Sequence, residues 1–165
     1  MTALTDGYRQ LTGFLSGPLV ESIAQLLARV ALAGIFWRSY RTKVVEGTWL
    51  TIDETQYFIF ENEFAGLPLP VNLAVPMATY AEFLFPVLLV AGLASRLSAL
   101  ALMGMALVIQ LFVFPTMDHF LGWAIMVIAL AMIIISRGPG LLSLDALLGR
   151  IGPGRAKAPA GLQAA

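Results

Sequence analysis

Four long apolar stretches, broken by short charged or Pro- and Gly-containing segments, fill most of this 165-residue chain. A run of about 20 apolar residues is what an α-helix needs to cross a hydrocarbon core of roughly 30 Å, and helices and closed barrels are the forms that satisfy their own backbone in lipid. Composition points the same way. Hydrophobic residues make up 59% of the chain and charged residues 12%, against about 45–50% and about 25% in soluble domains. The sequence therefore predicts an all-α protein, a four-transmembrane-helix bundle whose solvent is the lipid bilayer. Residues 1–150 are expected to form this one membrane domain, and residues 151–165, rich in Gly, Pro and Ala, a disordered C-terminal tail.

The spans are placed by their borders. The first is predicted from Pro18 to Tyr40, with Pro18 at a first helical turn where its missing N–H costs nothing. The residues before it lack the basic region and small-residue cleavage site of a signal peptide. The second is predicted from Val71 to Ala94, with Pro76 and Pro86 inside it, the third from Leu97 to Phe114 and the fourth from Phe120 to Ser136. The last two look short for a 30 Å core. Arg41 to Pro70 is the long connection; its acids, Glu46, Asp53, Glu54, Glu61 and Glu63, and its aromatics, Trp49, Tyr57, Phe58 and Phe60, predict a partly ordered acidic cap with a short helix.

Charge and residue usage exclude several functions. Net charge is zero and no dense Lys/Arg run is present, so the electrostatic footprint of a nucleic-acid binder is missing. Without cysteine there are no disulfides, thiolate metal sites or thiol redox chemistry in this chain. His119 is the one histidine, which rules out a haem held by two histidines of one copy. No intrinsic cofactor is expected. Across the membrane, Arg9, Arg96, Arg137, Arg150, Arg155 and Lys157 fall on the side of the termini, against Arg38, Arg41 and Lys43 on the other. That asymmetry predicts cytoplasmic termini and an extracytoplasmic acidic loop.

An ionisable group at bilayer depth costs roughly 2.5 to 3.5 kcal/mol on insertion scales, so Arg29 and Glu82 are the leading candidates for catalytic residues. At helical spacing, Gln25, Arg29, Phe36 and Tyr40 share one face of the first span. Thr79, Glu82 and Pro86 share a face of the second, Met103, Ala106, Gln110 and Phe114 of the third, and His119, Trp123 and Met126 of the fourth. Pointed inward, these faces bring Arg29, Glu82 and Gln110 to intermediate depth. Measured from the termini side, Arg29 lies about 14 Å deep and Glu82 about 18 Å at ~1.5 Å per residue, so the two are expected to pair, with Arg38 or Arg41 as rival partners of Glu82. Ala24, Ala28 and Ala31 form a small-residue stripe suited to close packing.

Each residue also has an ordinary structural reading. Arg29 with Glu82 can be an ion pair that fixes helix register. Trp37, Arg38, Tyr40, Arg41 and Lys43 suit an interfacial belt of aromatic and snorkelling side chains. His119 sits where surface histidines are common, and with Met117 and Asp118 it makes only a weak metal set, because a metal needs several converging ligands. Met103 and Met105 lie about 200° apart on a helix and cannot face one ion.

Four stretches carry a resemblance: Phe36-Trp37-Arg38-Ser39-Tyr40-Arg41-Thr42-Lys43-Val44; Ala78-Thr79-Tyr80-Ala81-Glu82; Gly92-Leu93-Ala94-Ser95-Arg96-Leu97-Ser98-Ala99-Leu100; and Gly138-Pro139-Gly140-Leu141-Leu142-Ser143-Leu144-Asp145. In that order, over about Gln25 to Leu148, the chain resembles the DoxX family of small bacterial membrane proteins. The resemblance implies four helices in a bacterial inner membrane and a link to quinone-coupled oxidoreductases. The Arg-Thr-Lys and Thr-Tyr-Ala-Glu stretches are similar to the subgroup found beside iron-dependent peptide-modifying oxygenases and small copper-responsive peptides. Around Thr116 to Trp123 the chain departs from that subgroup.

Two functions of different classes follow. The first is an accessory redox subunit with a bound quinone between helices: Arg29 or Arg38 bonds a quinone carbonyl, Glu82 exchanges the proton, Trp37 and Tyr40 line the ring slot, and Arg41, Thr79, Gln110 and Trp123 complete the ligand site. Its partners are redox proteins. The second is a non-enzymatic accessory protein that binds, exports or protects against copper or a modified peptide through the acidic loop, Met117, Asp118 and His119. Either is compatible with a homo-oligomer.

Overall fold

The computed structural model describes residues 2–151. The tail expected to be disordered lies outside them, apart from Ile151, which closes a helix. Four helices are long and apolar enough to cross a membrane: Pro18–Arg41, Val71–Ala91, Ser95–Val113 and Met117–Arg137. These are the first to fourth spans. An N-terminal helix, Thr2–Leu15, precedes them, a short helix, Thr55–Asn62, sits in the long loop, and a C-terminal helix, Leu144–Ile151, follows. Among the described residues extended pairing is limited to one bridge, Val44 to Ile52, which pins the start of the loop.

Local chemistry sets the ends. The second span stops at Ala91 because Gly92 adopts φ 70° and its N–H turns back to the carbonyls of Leu88 and Leu89, the left-handed cap that favours glycine. The fourth span starts three residues earlier than its hydropathy suggests, because the Thr116 hydroxyl caps it by accepting the His119 N–H at 3.2 Å. With these turns added the third and fourth spans have 19 and 21 residues, about 28 and 32 Å at ~1.5 Å per residue, enough for the hydrocarbon core. Both are interrupted at the loop end by a wide π turn, Ile109–Val113 in the third and Phe120–Ala124 in the fourth.

The spans form a ring in which each packs on two neighbours: first on second and fourth, third on second and fourth. Leu32, Phe36, Leu89, Leu102, Val127 and Ile134 fill the centre, and Ala28, Ala33, Ala99, Ala106 and Ala131 let the backbones approach. Of the expected stripe Ala24, Ala28, Ala31, only Ala28 faces the core; the other two are exposed. The packing face of the first span runs instead through Ala28, Leu32, Ala33 and Phe36. The loop is a cap, as its aromatics suggest: Phe60 is buried with Ala74 and Val75 of the second span and stacks on Phe64 with ring centres 4.6 Å apart.

Candidate functional site

Glu82 is in the interior, 3% exposed, but its partner is not an arginine of the first span. Its Oε2 accepts from Nζ of Lys43 at 2.9 Å, and Lys43 also donates to the Ser39 hydroxyl at 2.7 Å and to the Ser39 carbonyl at 3.5 Å. Arg29, 0% exposed, lies elsewhere: Nη1 donates to the carbonyls of Leu89 at 3.0 Å and Val90 at 3.5 Å, and Nη2 to that of Leu142. The expected Arg29–Glu82 pair is therefore corrected to two separate clusters. Helical side chains lean toward their own N-terminus. In the antiparallel first and second spans, Arg29 therefore leans toward the termini side and Glu82 toward the loop side. Lys43, just beyond the end of the first span, leans inward by the same rule and meets Glu82.

The Arg29 cluster closes the bundle at its termini side. The guanidinium bonds carbonyls where the second span ends, sharing that of Leu89 with the Gly92 N–H, and ties them to the segment after the fourth. That segment is held closely. The Asp145 carboxylate accepts the backbone N–H groups of Ala94 at 2.8 Å and Ser95 at 2.9 Å, capping the third span from a distance in sequence. Partial burial alone would push the Asp145 carboxyl up, but those two N–H groups and the nearby Arg29 charge hold it below the usual carboxylate range. Gly92 and Gly140 both have positive φ, and a Cβ at either would overlap Arg29 and Ser143 or Gln25 respectively. Arg137 and Glu21 add an exposed ion pair at 2.9 Å.

The Glu82 cluster opens into a cavity of about 580 Å³ at the loop side of the bundle, within the ~300–1,000 Å³ range of small-molecule sites. Ile35, Phe36, Ser39 and Lys43 form its first wall, Met77, Ala78, Ala81 and Glu82 its second, Met105, Val108 and Ile109 its third, and His119 and Trp123 its fourth. Phe60, Phe64 and Leu67 of the cap roof it. A Cβ at Gly66 would overlap the Phe112 carbonyl, so this roof sits directly on the π turn of the third span. Met77, 52% exposed on the outer surface, and Val108 also border the cavity, so it opens sideways between the second and third spans.

Among the other expected site residues, Trp123 lines the cavity, with its ring 6.1 Å from Phe36 and 5.2 Å from His119. Gln110 stands behind it, with Oε1 2.7 Å from His119 Nδ1 and Nε2 donating to the Thr116 carbonyl at 3.1 Å. Thr79 is buried but bonds its own helix, donating to the Val75 carbonyl at 2.8 Å. Trp37 and Tyr40 do not line the slot. They pack on Phe83 and, through the Tyr40 hydroxyl bonded to the Trp49 carbonyl, on the start of the loop. Arg38 and Arg41 are exposed, and Arg41 reaches only the Thr48 carbonyl at 3.3 Å. Met117 and Asp118 are exposed while His119 turns to the cavity, so the three do not converge. Among the described residues no group of three His, Asp or Glu side chains is placed to hold a metal ion.

Lys43 is the site residue that sequence reasoning left among the belt. The signal was present in the spacing Ile35, Ser39, Lys43, which carries the cavity face of the first span one turn past its end.

No curated protein and no solved structure matches the chain. A family model, DoxX, matches residues 24–115, from the first span through the π turn of the third. With four apolar spans and this match over more than half its length, the chain belongs to the DoxX family.

Proposed function

We propose that the protein is an accessory subunit of a quinone-linked redox system in a bacterial inner membrane, and that the loop-side cavity is where a quinone headgroup is held. The observation carrying this reading is the cavity itself: an apolar, aromatic-walled space open sideways to the lipid, with one buried ion pair, Lys43–Glu82, on its wall. A lipid-soluble ring with polar oxygens suits such a site, because the aromatic walls take the ring and the few polar side chains on them face its oxygens. Glu82, His119 and Trp123 are the residues that would hold it, with Lys43 fixing Glu82 in place. Redox partner proteins would supply the electron carriers.

Purified protein extracted gently from membranes should carry quinone. Glu82→Ala and Trp123→Ala should release most of it, and Arg38→Ala and Arg41→Ala, at exposed positions, should not. Quinone retained equally by all four variants, or absent from the parent protein, would overturn the proposal. A second reading, binding of copper or a modified peptide, draws on the exposed Met117, Asp118, Glu61 and Glu63 at the loop side. It gains if neutralising these abolishes complementation while the cavity variants do nothing.

The six-to-three distribution of Lys and Arg supports cytoplasmic termini. A cysteine at Thr51 should then react with an impermeant thiol reagent in intact cells and one at Ala160 should not; the reverse pattern inverts the topology.

A further inference from the structure

Both titratable walls of the cavity offer hydrogen-bond acceptors. The three N–H donors of Lys43 are directed at the Ser39 hydroxyl, the Ser39 carbonyl and Glu82 Oε2. A carboxylate has about four lone-pair sites, so Glu82 keeps acceptor capacity after these bonds. On the opposite wall the tautomer of His119 is fixed by its neighbours. The Thr116 carbonyl can only accept, which requires the amide nitrogen of Gln110 on that side and turns Oε1 toward His119. Oε1 can only accept as well, so Nδ1 of His119 carries a proton, and in the tautomer this selects, Nε2 presents a lone pair. Nε2 has no hydrogen-bond partner among the described residues. Phe114 and Trp123 hold the ring from either side, with centres 5.0 and 5.2 Å away.

A quinone oxygen is an acceptor and finds acceptors here. A hydroquinone carries two O–H donors. We infer that the cavity selects the hydroquinone form of its ligand, with one hydroxyl donating to Glu82 and the other to Nε2 of His119. The inference rests on the quinone reading of the cavity and adds the redox form and the role of His119. Gln110 acts as a positioning residue, because it decides which ring nitrogen faces the ligand. The selection is one of binding, and no electron transfer is implied.

The test uses the full-length protein in lipid nanodiscs, without oxygen, titrated with tetramethyl-benzoquinone and with its hydroquinone. The hydroquinone should bind about tenfold or more tighter, since sites built around a ligand hydroxyl discriminate strongly against analogues lacking it. His119→Phe should weaken hydroquinone binding more than quinone binding, so that the two affinities converge, and His119→Gln, which keeps an acceptor, should restore part of the preference. Gln110→Leu retains the imidazole but releases the tautomer, so it should narrow the preference even if His119→Phe does not fold. Equal binding of the two forms by the parent protein, or a preference that survives both His119→Phe and Gln110→Leu, overturns the inference and leaves the cavity reading intact. Failure of both forms to bind overturns the two together.

Discussion

Glu82→Gln should destabilise the bundle by roughly 3 to 5 kcal/mol, measured by unfolding in mixed micelles, and Lys43→Met should cost a similar amount. Removing one member of a buried pair leaves the other charge in a low-dielectric site without compensation. The pair qualifies as buried: its side chains are 10% and 4% exposed for Lys43 and Glu82. The double variant Lys43→Met/Glu82→Leu removes both charges and fills the wall with apolar atoms, so it should recover most of the loss. Arg29→Met should not rescue Glu82→Gln. Its carbonyl partners Leu89 and Val90 lie seven and eight residues beyond Glu82, about 10 to 12 Å along the helix. At that separation the two losses should add within about 0.3 to 0.5 kcal/mol. Rescue by Arg29, or additivity of Lys43 and Glu82, would mean the partners are exchanged.

Why the partners were misassigned shows what the sequence can convey. Hydropathy marks the four spans because lipid demands them, and every predicted span overlaps a helix. The ends slipped by two to three residues where hydrogen bonds decide. Gly92 ends the second span before Leu93 and Ala94, and Thr116 starts the fourth before its apolar run. Face periodicity placed Glu82, Trp123 and His119 correctly on inward faces, and the cavity brings them together. Depth along the membrane was the weak coordinate. Counting residues locates Cα atoms, yet a long side chain shifts its charge by a turn or more toward its own helix N-terminus. In antiparallel helices those shifts are opposed, which separates Arg29 from Glu82 and brings Lys43 inward. The same counting could not see that Trp37 and Tyr40 would be taken up by Phe83 and Trp49.

Arg29→Met should cost about 3 kcal/mol or more, through a different mechanism from the Lys43–Glu82 pair. The guanidinium donates to Leu89 and Val90 at the end of the second span and to Leu142 after the fourth, tying two segments distant in sequence. Hydrogen bonds from a charged donor contribute roughly 1.5 to 3 kcal/mol each, and the Val90 and Leu142 carbonyls lose this partner and add their desolvation, whereas Leu89 keeps the Gly92 N–H. Arg29→Lys should recover little of the loss, since a compact ammonium cannot fork between carbonyls of two segments. The damage should be local first: hydrogen exchange should quicken at Ala94, Ser95 and Asp145 before the core around Leu102 and Val127 responds. Acid should reproduce part of this effect. The Asp145 carboxyl lies below the usual carboxylate range in the folded protein, so its contribution is complete above the unfolded value of about 3.9 and is lost as pH falls through the lower folded value. Asp145→Asn should therefore flatten that acid limb and lower stability at neutral pH. An unchanged acid limb in Asp145→Asn would show that the cap on the third span does not couple to folding. Early exchange at the loop-side residues Phe60 and Val75 in Arg29→Met would place the guanidinium's influence at the cavity after all.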